Sequence, residues 1–190
     1  MDATIIIATH GNLKWERLAK ERALPSAQKF GIPVIQYHGQ KHLHEARNHA
    51  ASLATSEWLC FLDADDELYD GYFAAMEQAT GDLRAPSVMW IEDEMPAAPV
   101  SLQDRDIELT NPCVIGTLIR KEMFESVGGF SNWRAWEDWA LFLSCYRKGA
   151  VIEHVPNAVY VAHVSSNSRN NTVKNPAQLW EDIKLASIND

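Results

Sequence analysis

Short apolar runs alternate with helix-like segments over the first sixty or so residues of the chain. The runs Thr4–Ala8, Pro33–Tyr37 and Trp58–Leu62 have the length and composition of buried strands. Residues 13–30, interrupted near Pro25, and residues 43–54 carry the apolar spacing of helices. Strands that alternate with helices imply right-handed crossovers and a parallel sheet covered on both faces. We therefore predict an α/β fold with a mainly parallel central sheet flanked by helices.

The second half of the chain has a looser pattern. Residues 92–110 form a polar stretch with two prolines, for which we expect irregular structure. Residues 69–80 are predicted to be helical, and Val151–Val155 and Ala158–Ala162 are predicted to be two short strands. The polar segment 165–175 is either a mobile lid or a simple connection to a last helix.

The composition of the chain excludes several classes of protein. With 190 residues and 46% hydrophobic content, one domain is expected. The formal net charge of -9 argues against broad nucleic-acid binding, which needs many cationic side chains. We expect no transmembrane segment, because no apolar run approaches the roughly 20 residues required. We see no secretory signal and expect a cytoplasmic protein with buried free thiols at its three cysteines.

Three carboxylates, Asp63, Asp65 and Asp66, follow directly on the predicted strand Trp58–Leu62. Ligands of parallel α/β sheets bind beyond the carboxyl ends of the strands, which is where these residues should lie. In an extended segment Asp63 and Asp65 point the same way, roughly 7 Å apart. Two such oxygen donors suit Mg²⁺ or Mn²⁺ whose other ligands are water and phosphate. The alternative is a turn that caps the next helix.

Several short motifs, in one consistent order, resemble those of the inverting family 2 glycosyltransferases, which have the GT-A fold. The motifs are Ile5–Asn12, Ala46–Asn48, Phe61–Asp66, Val127–Phe130 and Trp136–Trp139. The resemblance implies a single GT-A domain over residues 1–190. Its donor-binding half would span about residues 1–92, its acceptor-side half about residues 111–163, and a C-terminal loop and helix the remainder.

On the donor side, the resemblance implies that Asp65 binds a divalent cation, Mn²⁺ or Mg²⁺, on the donor diphosphate. Asp63 would contact the donor ribose or the metal shell, and His163 would be a further metal ligand. The other residues implied to contact the donor are Thr9, Arg47 and Arg169. The role of Asp66 stays open.

On the acceptor side, the resemblance implies that Asp138 is the general base and that Glu137 shapes the acceptor pocket. A carboxylate can take the acceptor proton as the new bond forms, which gives single displacement with inversion. Trp133, Trp136 and Trp139 would offer flat apolar faces to a sugar, or else pack in the core. Glu137 and Asp138 have an alternative role in complementing a helix dipole.

One position departs from the family pattern. The acidic residue that usually reads the nucleotide base after the second strand is replaced here by Gln36 or His38. A side-chain amide can both donate to and accept from a uracil edge. We therefore still expect a UDP- or dTDP-sugar as the donor.

These observations predict a metal-dependent inverting glycosyltransferase that moves a sugar from a nucleotide-diphosphate donor to the hydroxyl of a carbohydrate or other acceptor. Two alternatives remain from the sequence. One is a GT-A-like module that binds a sugar nucleotide or glycan without turnover. The other is a nucleotidyltransferase, although Thr9–Lys14 is a poor match to the Gly-rich, basic phosphate loop of that class. The sequence predicts no oligomeric state.

Overall fold

A computed structural model describes residues 1–164 and 173–187. Its strands are Ala3–His10 (β1), Val34–Gly39 (β2), Trp58–Phe61 (β3), Glu67–Leu68 (β4), Leu83–Glu92 (β5), Met95–Pro96 (β6), Leu118–Arg120 (β7) and Ile152–His163 (β8). Its helices are Lys14–Glu21 (α1), Ala23–Gln28 (α2), Leu43–Ser52 (α3), Tyr72–Met76 (α4), Lys121–Ser126 (α5), Glu137–Arg147 (α6) and Pro176–Ala186 (α7). No helix within these described ranges is long and apolar enough to cross a membrane.

The strands form one sheet in the order β2-β1-β3-β7-β5-β8-β4, with β6 paired to β5. The long pairings β1–β2 and β5–β8 are parallel, as is β1–β3, which confirms the predicted α/β class. Strand β7 runs antiparallel between β3 and β5. The carboxyl ends of β1, β3, β5 and β8 therefore share one edge of the sheet. The chain enters β7 at that same edge.

The middle of the sheet is covered on both faces. Ile5 and Ile6 on β1, and Leu59 and Cys60 on β3, are fully buried, which explains why these strands are continuous apolar runs. Helices α1 and α3 pack against β1, and α4 packs against β8. All three cysteines carry buried free thiols, as predicted.

The predicted interruption of the first helical segment falls at Arg22, where α1 ends and α2 begins. Pro25 explains the break. A proline ring clashes with the carbonyl four residues earlier, here that of Glu21, so a helix containing Glu21 cannot continue through Pro25. The break places Arg22 beside the loop that follows β3, as described below.

The prediction of two strands at residues 151–162 was wrong, because β8 is a single strand with an irregular register. Pro86 pairs with Val155 and Ser87 pairs with Val159, so extra residues bulge between these two pairs. Pro156 lies in the bulge, where its missing N–H costs no ladder bond. The helix predicted at residues 69–80 is also shorter than expected and covers only α4.

Candidate active site

The carboxylate cluster lies in a tight turn after β3. The N–H of Asp66 donates to the carbonyl of Asp63 over 3.2 Å. One carboxylate oxygen from each of Asp63, Asp65 and Asp66 lies within 4.8 Å of the others. The predicted separation of 7 Å between Asp63 and Asp65 was therefore too large, because it assumed an extended chain. The turn brings the oxygens close enough together to share a cation.

Asp66 differs from its two neighbours because it is buried and both of its oxygens are engaged. Oδ2 accepts from the hydroxyl of Tyr160 over 2.7 Å, and Oδ1 accepts from the N–H of His163 over 2.9 Å. Burial, followed by the charges of Asp65 and Asp63, raises the pKa of Asp66 well above its ordinary value. Asp66 thus fastens the turn to β8, which leaves Asp63 and Asp65 as the better candidates for metal ligands.

The backbone at Gly116 lies close to the ring of Tyr160, which leaves room for the hydrogen bond between Tyr160 and Asp66. A Cβ atom at position 116 would lie 2.1 Å from the ring of Tyr160. The glycine therefore lets the chain entering β7 pass directly beside the tyrosine that holds Asp66. A larger residue there would displace the ring and loosen the carboxylate turn.

Arg22 also supports the turn. Its Nη1 donates to the carbonyl of Asp65 over 2.8 Å. Burial and the charge of Asp63 raise the pKa of the Asp65 carboxyl, an effect that Arg22 and His163 partly offset. A divalent cation between Asp63 and Asp65 would relieve the remaining repulsion. Sequence reasoning missed Arg22, and the helix break at this residue was the one available signal.

His163 lies beside the cluster, at the end of β8. Its backbone holds Asp66, and its ring Nε2 lies 2.9 Å from Oε1 of Glu67. A carboxylate on one ring nitrogen is the usual arrangement for an imidazole that binds a metal through the other. The ligand role of His163 stays a prediction. Arg169, predicted to contact the donor, lies outside the described residues.

Arg47 connects the carboxylate turn to α6. Its side chain is 3% exposed, with Nη2 donating to Asp63 Oδ1 over 2.6 Å and Nη1 donating to Glu137 Oε1 over 2.9 Å. Burial alone would lower the pKa of Arg47, but the charges of Asp63 and Glu137 outweigh it and raise the pKa. The arginine predicted to hold the donor therefore joins the predicted donor residue Asp63 to the predicted acceptor residue Glu137.

Asn48, the residue after Arg47, connects two of the sequence motifs, Ala46–Asn48 and Val127–Phe130. Its amide donates to the carbonyl of Phe130 over 2.9 Å and accepts from the N–H of Phe130 over 2.8 Å. Gly129, just before this clamp, has a φ of 74°, a region that favours glycine. A Cβ at Gly129 would also lie 2.6 Å from the Asn48 amide oxygen. The clamp anchors the segment that leads into α6.

Asp138 is the second residue of α6 and is partly exposed. Its Oδ2 accepts from Nδ2 of Asn111 over 3.2 Å. Burial and the charge of Glu137 raise the pKa of Asp138 to about 6, although the backbone N–H of Trp139 and the charge of Arg47 lower it. A carboxylate with a pKa close to neutral is well matched to proton abstraction at physiological pH.

The three tryptophans considered as sugar-contacting residues lie in different environments. Trp139 is buried, donates from Nε1 to the carbonyl of Ile107 over 2.8 Å, and stacks on Trp180 with ring centroids 3.4 Å apart. Trp133 and Trp136 are partly exposed. Trp136 has a φ of 59° immediately before α6. The rings with exposed surface are thus Trp133 and Trp136, whereas Trp139 packs α6 against α7.

Three residues considered for nucleotide contact, Thr9, Gln36 and His38, lie together on the neighbouring strands β1 and β2. Thr9 Oγ1 is 2.9 Å from Nδ1 of His38, and Gln36 is exposed nearby. These three residues line one shallow cavity with Glu16 of α1. Of the two residues that the sequence offered for base recognition, His38 is therefore engaged with Thr9, whereas Gln36 faces solvent.

Solved structures show the same fold. S. aureus TarS residues 1–349 in complex with UDP-GlcNAc align with a TM-score of 0.73 and 16% identity, covering 99% of this chain and 66% of that one. The same fragment in complex with UDP aligns with a TM-score of 0.63 and 18% identity, covering 87% and 61%. These alignments confirm the predicted GT-A fold.

Residues 15–95 match the model of glycosyl transferase family 2, the family that the motifs resemble. PGL/p-HBAD biosynthesis glycosyltransferases of Mycobacterium bovis and Mycobacterium tuberculosis are 24% identical over 147 residues. The alignment covers 74% of this chain and 57% of each relative. The chain thus corresponds to little more than half the length of these relatives.

Proposed function

We propose that residues 1–190 form a single GT-A domain that transfers a sugar, with inversion, from a nucleotide-diphosphate donor to an acceptor hydroxyl. The observation that carries the proposal is the bridge made by Arg47 between Asp63 and Glu137. The bridge holds the carboxylates proposed to bind the metal and the proposed base Asp138 in one site. Leaving-group departure and proton removal require these groups on opposite sides of the same sugar.

The donor half fits a divalent cation. Asp63 and Asp65 supply hard oxygen donors, which Mn²⁺ and Mg²⁺ prefer, and their close spacing leaves room for diphosphate oxygens as further ligands. A cation bound there would stabilise the charge that develops on the departing diphosphate. His163 is a further ligand candidate, oriented by Glu67. The TarS complexes with UDP-GlcNAc and UDP support a uridine nucleotide as part of the donor.

The acceptor half is proposed to work through Asp138. Its carboxylate would accept the proton of the acceptor hydroxyl as that oxygen attacks the anomeric carbon. One displacement of this kind inverts the anomeric configuration. Trp133 and Trp136 would offer partly exposed aromatic faces to a carbohydrate acceptor or another hydroxyl compound.

Metal dependence is the first test of this proposal. We expect UDP to bind measurably better with Mn²⁺ than with excess EDTA, and Asp65→Asn to weaken binding in Mn²⁺ by about 10-fold or more, the usual scale for a disturbed metal site. Isothermal titration calorimetry measures both. The matched control is Asp70→Asn, since the Asp70 side chain is 81% exposed a few residues along the chain. Equal UDP affinity in Mn²⁺ and in EDTA would contradict the metal assignment.

Base selectivity is the second test. We expect UDP and dTDP to bind more tightly than GDP or CDP, and Gln36→Ala to reduce this preference, because the amide is the exposed group that can pair with a uracil edge. Competition binding among the four nucleotides in Mn²⁺ measures the preference. Gln40→Ala, at another exposed glutamine, is the control. A clear preference for GDP would show that the expected donor is wrong.

Product analysis separates the proposed function from its two alternatives. The proposed inverting glycosyltransferase would release a nucleoside diphosphate and form a glycosylated product of inverted configuration, which NMR can assign. A binding module would bind UDP without turnover. A nucleotidyltransferase would instead release pyrophosphate from a nucleoside triphosphate.

A further inference from the structure

Asn111 lies where the irregular segment after β6 returns to the sheet edge. Its Oδ1 accepts from the N–H of Cys113 over 3.0 Å, and its backbone carbonyl accepts from Nη1 of Arg105 over 3.1 Å. Because Pro112 has no N–H, Cys113 offers the first backbone donor after Asn111. An asparagine bonded to the N–H two residues on forms an Asx turn. Asn111 is thus held both at its side-chain oxygen and at its backbone carbonyl.

This turn fixes the direction of the amide. Since Oδ1 faces a backbone donor, Nδ2 must face the other way, where it donates to Oδ2 of Asp138 over 3.2 Å. The contact joins residues 27 positions apart and brings the loop before β7 to the start of α6. A carboxylate that accepts such a bond loses rotational freedom and has one oxygen occupied.

We infer that Asn111 is a positioning residue for Asp138, holding Oδ2 so that Oδ1 meets the acceptor hydroxyl. The inference rests on the proposed role of Asp138 as the base. The N–H also stabilises the ionised carboxylate, which must be unprotonated to act. Asn111 touches neither the metal cluster nor, in this arrangement, the reacting atoms, so it acts only through Asp138.

Other charged groups also face Asp138 and affect its pKa in the wild type and in the variants. Glu137 adjoins it on α6, Arg47 faces it from α3, and Asp63 faces it from the turn after β3. Cys113 lies close by, but burial raises the pKa of its thiol, which is therefore neutral. None of these groups is altered by a substitution at position 111.

The decisive variant is Asn111→Asp. An aspartate can still accept from the Cys113 N–H, so the Asx turn is kept, but it replaces the donor facing Asp138 with a second carboxylate. Two carboxylates at hydrogen-bond distance share a proton, so the pair holds a proton at higher pH than Asp138 does in the wild type. We expect a fall in turnover of about 10- to 100-fold, the scale of a lost hydrogen bond to a charged group.

Two readouts test the inference. The first is ¹³C NMR titration of the side-chain carboxyls, assigned with Asp138→Asn, in which Asn111→Asp should move the Asp138 midpoint upward. The second is release of UDP from UDP-GlcNAc, with UDP affinity in Mn²⁺ expected to stay at the wild-type level. Gln103→Glu adds the same charge to an exposed position of the same segment and should change neither.

An unchanged Asp138 midpoint in Asn111→Asp would overturn the inference, whether or not UDP-GlcNAc is the donor. So would wild-type turnover in Asn111→Asp alongside an inactive Asn111→Ala, because that pair of results would assign Asn111 to the turn alone. Failure of the proposed function gives different results: without glycosyl transfer the wild type itself would release no UDP, and without a base role for Asp138 the Asp138→Asn variant would turn over like the wild type. In both cases the NMR midpoint would still respond to Asn111→Asp.

Discussion

Asp138→Asn should lower turnover by about 10²–10⁴-fold, the range typical for loss of a general base, and should leave Mn²⁺-dependent UDP binding unchanged. Asparagine keeps the size of the side chain and can still accept the hydrogen bond from Asn111. The proposed metal ligands are untouched, because Asp63 and Asp65 lie in a separate turn. Calorimetry with UDP and a product assay on the same preparations measure the two effects.

The pKa of Asp138 adds two expectations about pH. A base with a pKa of about 6 must be ionised to act, so wild-type turnover should rise as the pH increases through about 6. Because folding raises this pKa, the group opposes folding once it is ionised, and its unfavourable contribution develops as the pH rises from about 4 to about 6. At pH 7.5 Asp138→Asn should therefore be more stable than the wild type, by about 1–3 kcal/mol.

The control for this experiment is Asp65→Asn, which should lose UDP binding first. A variant that merely misfolds would lose binding, turnover and stability together, which is the opposite of the expected pattern. Near-normal turnover in Asp138→Asn, or a product that keeps the donor's anomeric configuration, would contradict the base assignment and the inverting mechanism.

The groups that lie close together in the sequence were predictable. Asp63, Asp65 and Asp66 follow a buried strand, and Glu137 and Asp138 begin a helix, so both features could be read from local pattern and motif resemblance. The turn that tightens the aspartates was not predictable, because it depends on Tyr160 and on the backbone of His163, both more than 90 positions away. A local pattern carries no information about such partners.

The same limit explains what the sequence analysis missed in the acceptor half. The contact between Asn111 and Asp138 joins residues 27 positions apart, and the Asn48 clamp on Phe130 spans 82 positions. Trp139 stands one residue after Asp138 and was grouped with the sugar-facing rings. Helical geometry instead turns it towards α7, where Trp180 stacks on it. Which aromatic rings face solvent is decided by packing between helices, not by nearness in sequence.

The second large effect is expected at Arg47. Arg47→Met should lower the free energy of unfolding by about 3 kcal/mol or more, because the buried carboxylates then lose the cation that balances their charge. Glu137 carries most of this cost, since it is 5% exposed, whereas Asp63 keeps access to water. Urea unfolding at pH 7.5, followed by tryptophan fluorescence, measures the change.

Two further variants separate charge from geometry at this position. Arg47→Lys keeps a cation but loses the planar fork that reaches Asp63 and Glu137 together. It should therefore be more stable than Arg47→Met, yet bind UDP less tightly than the wild type because Asp63 is held less firmly. Adding Glu137→Gln to Arg47→Met removes the buried carboxylate charge that Arg47 no longer balances and should recover part of the lost stability. If the free energies of unfolding of Arg47→Met and the wild type differ by less than about 1 kcal/mol, the bridge contributes no more than a surface ion pair. It would then not hold the two halves of the site together. A recovery by Glu137→Gln without any recovery of turnover would instead confirm that the bridge has two separable effects, since the glutamine relieves the buried charge but leaves Asp63 without its cation.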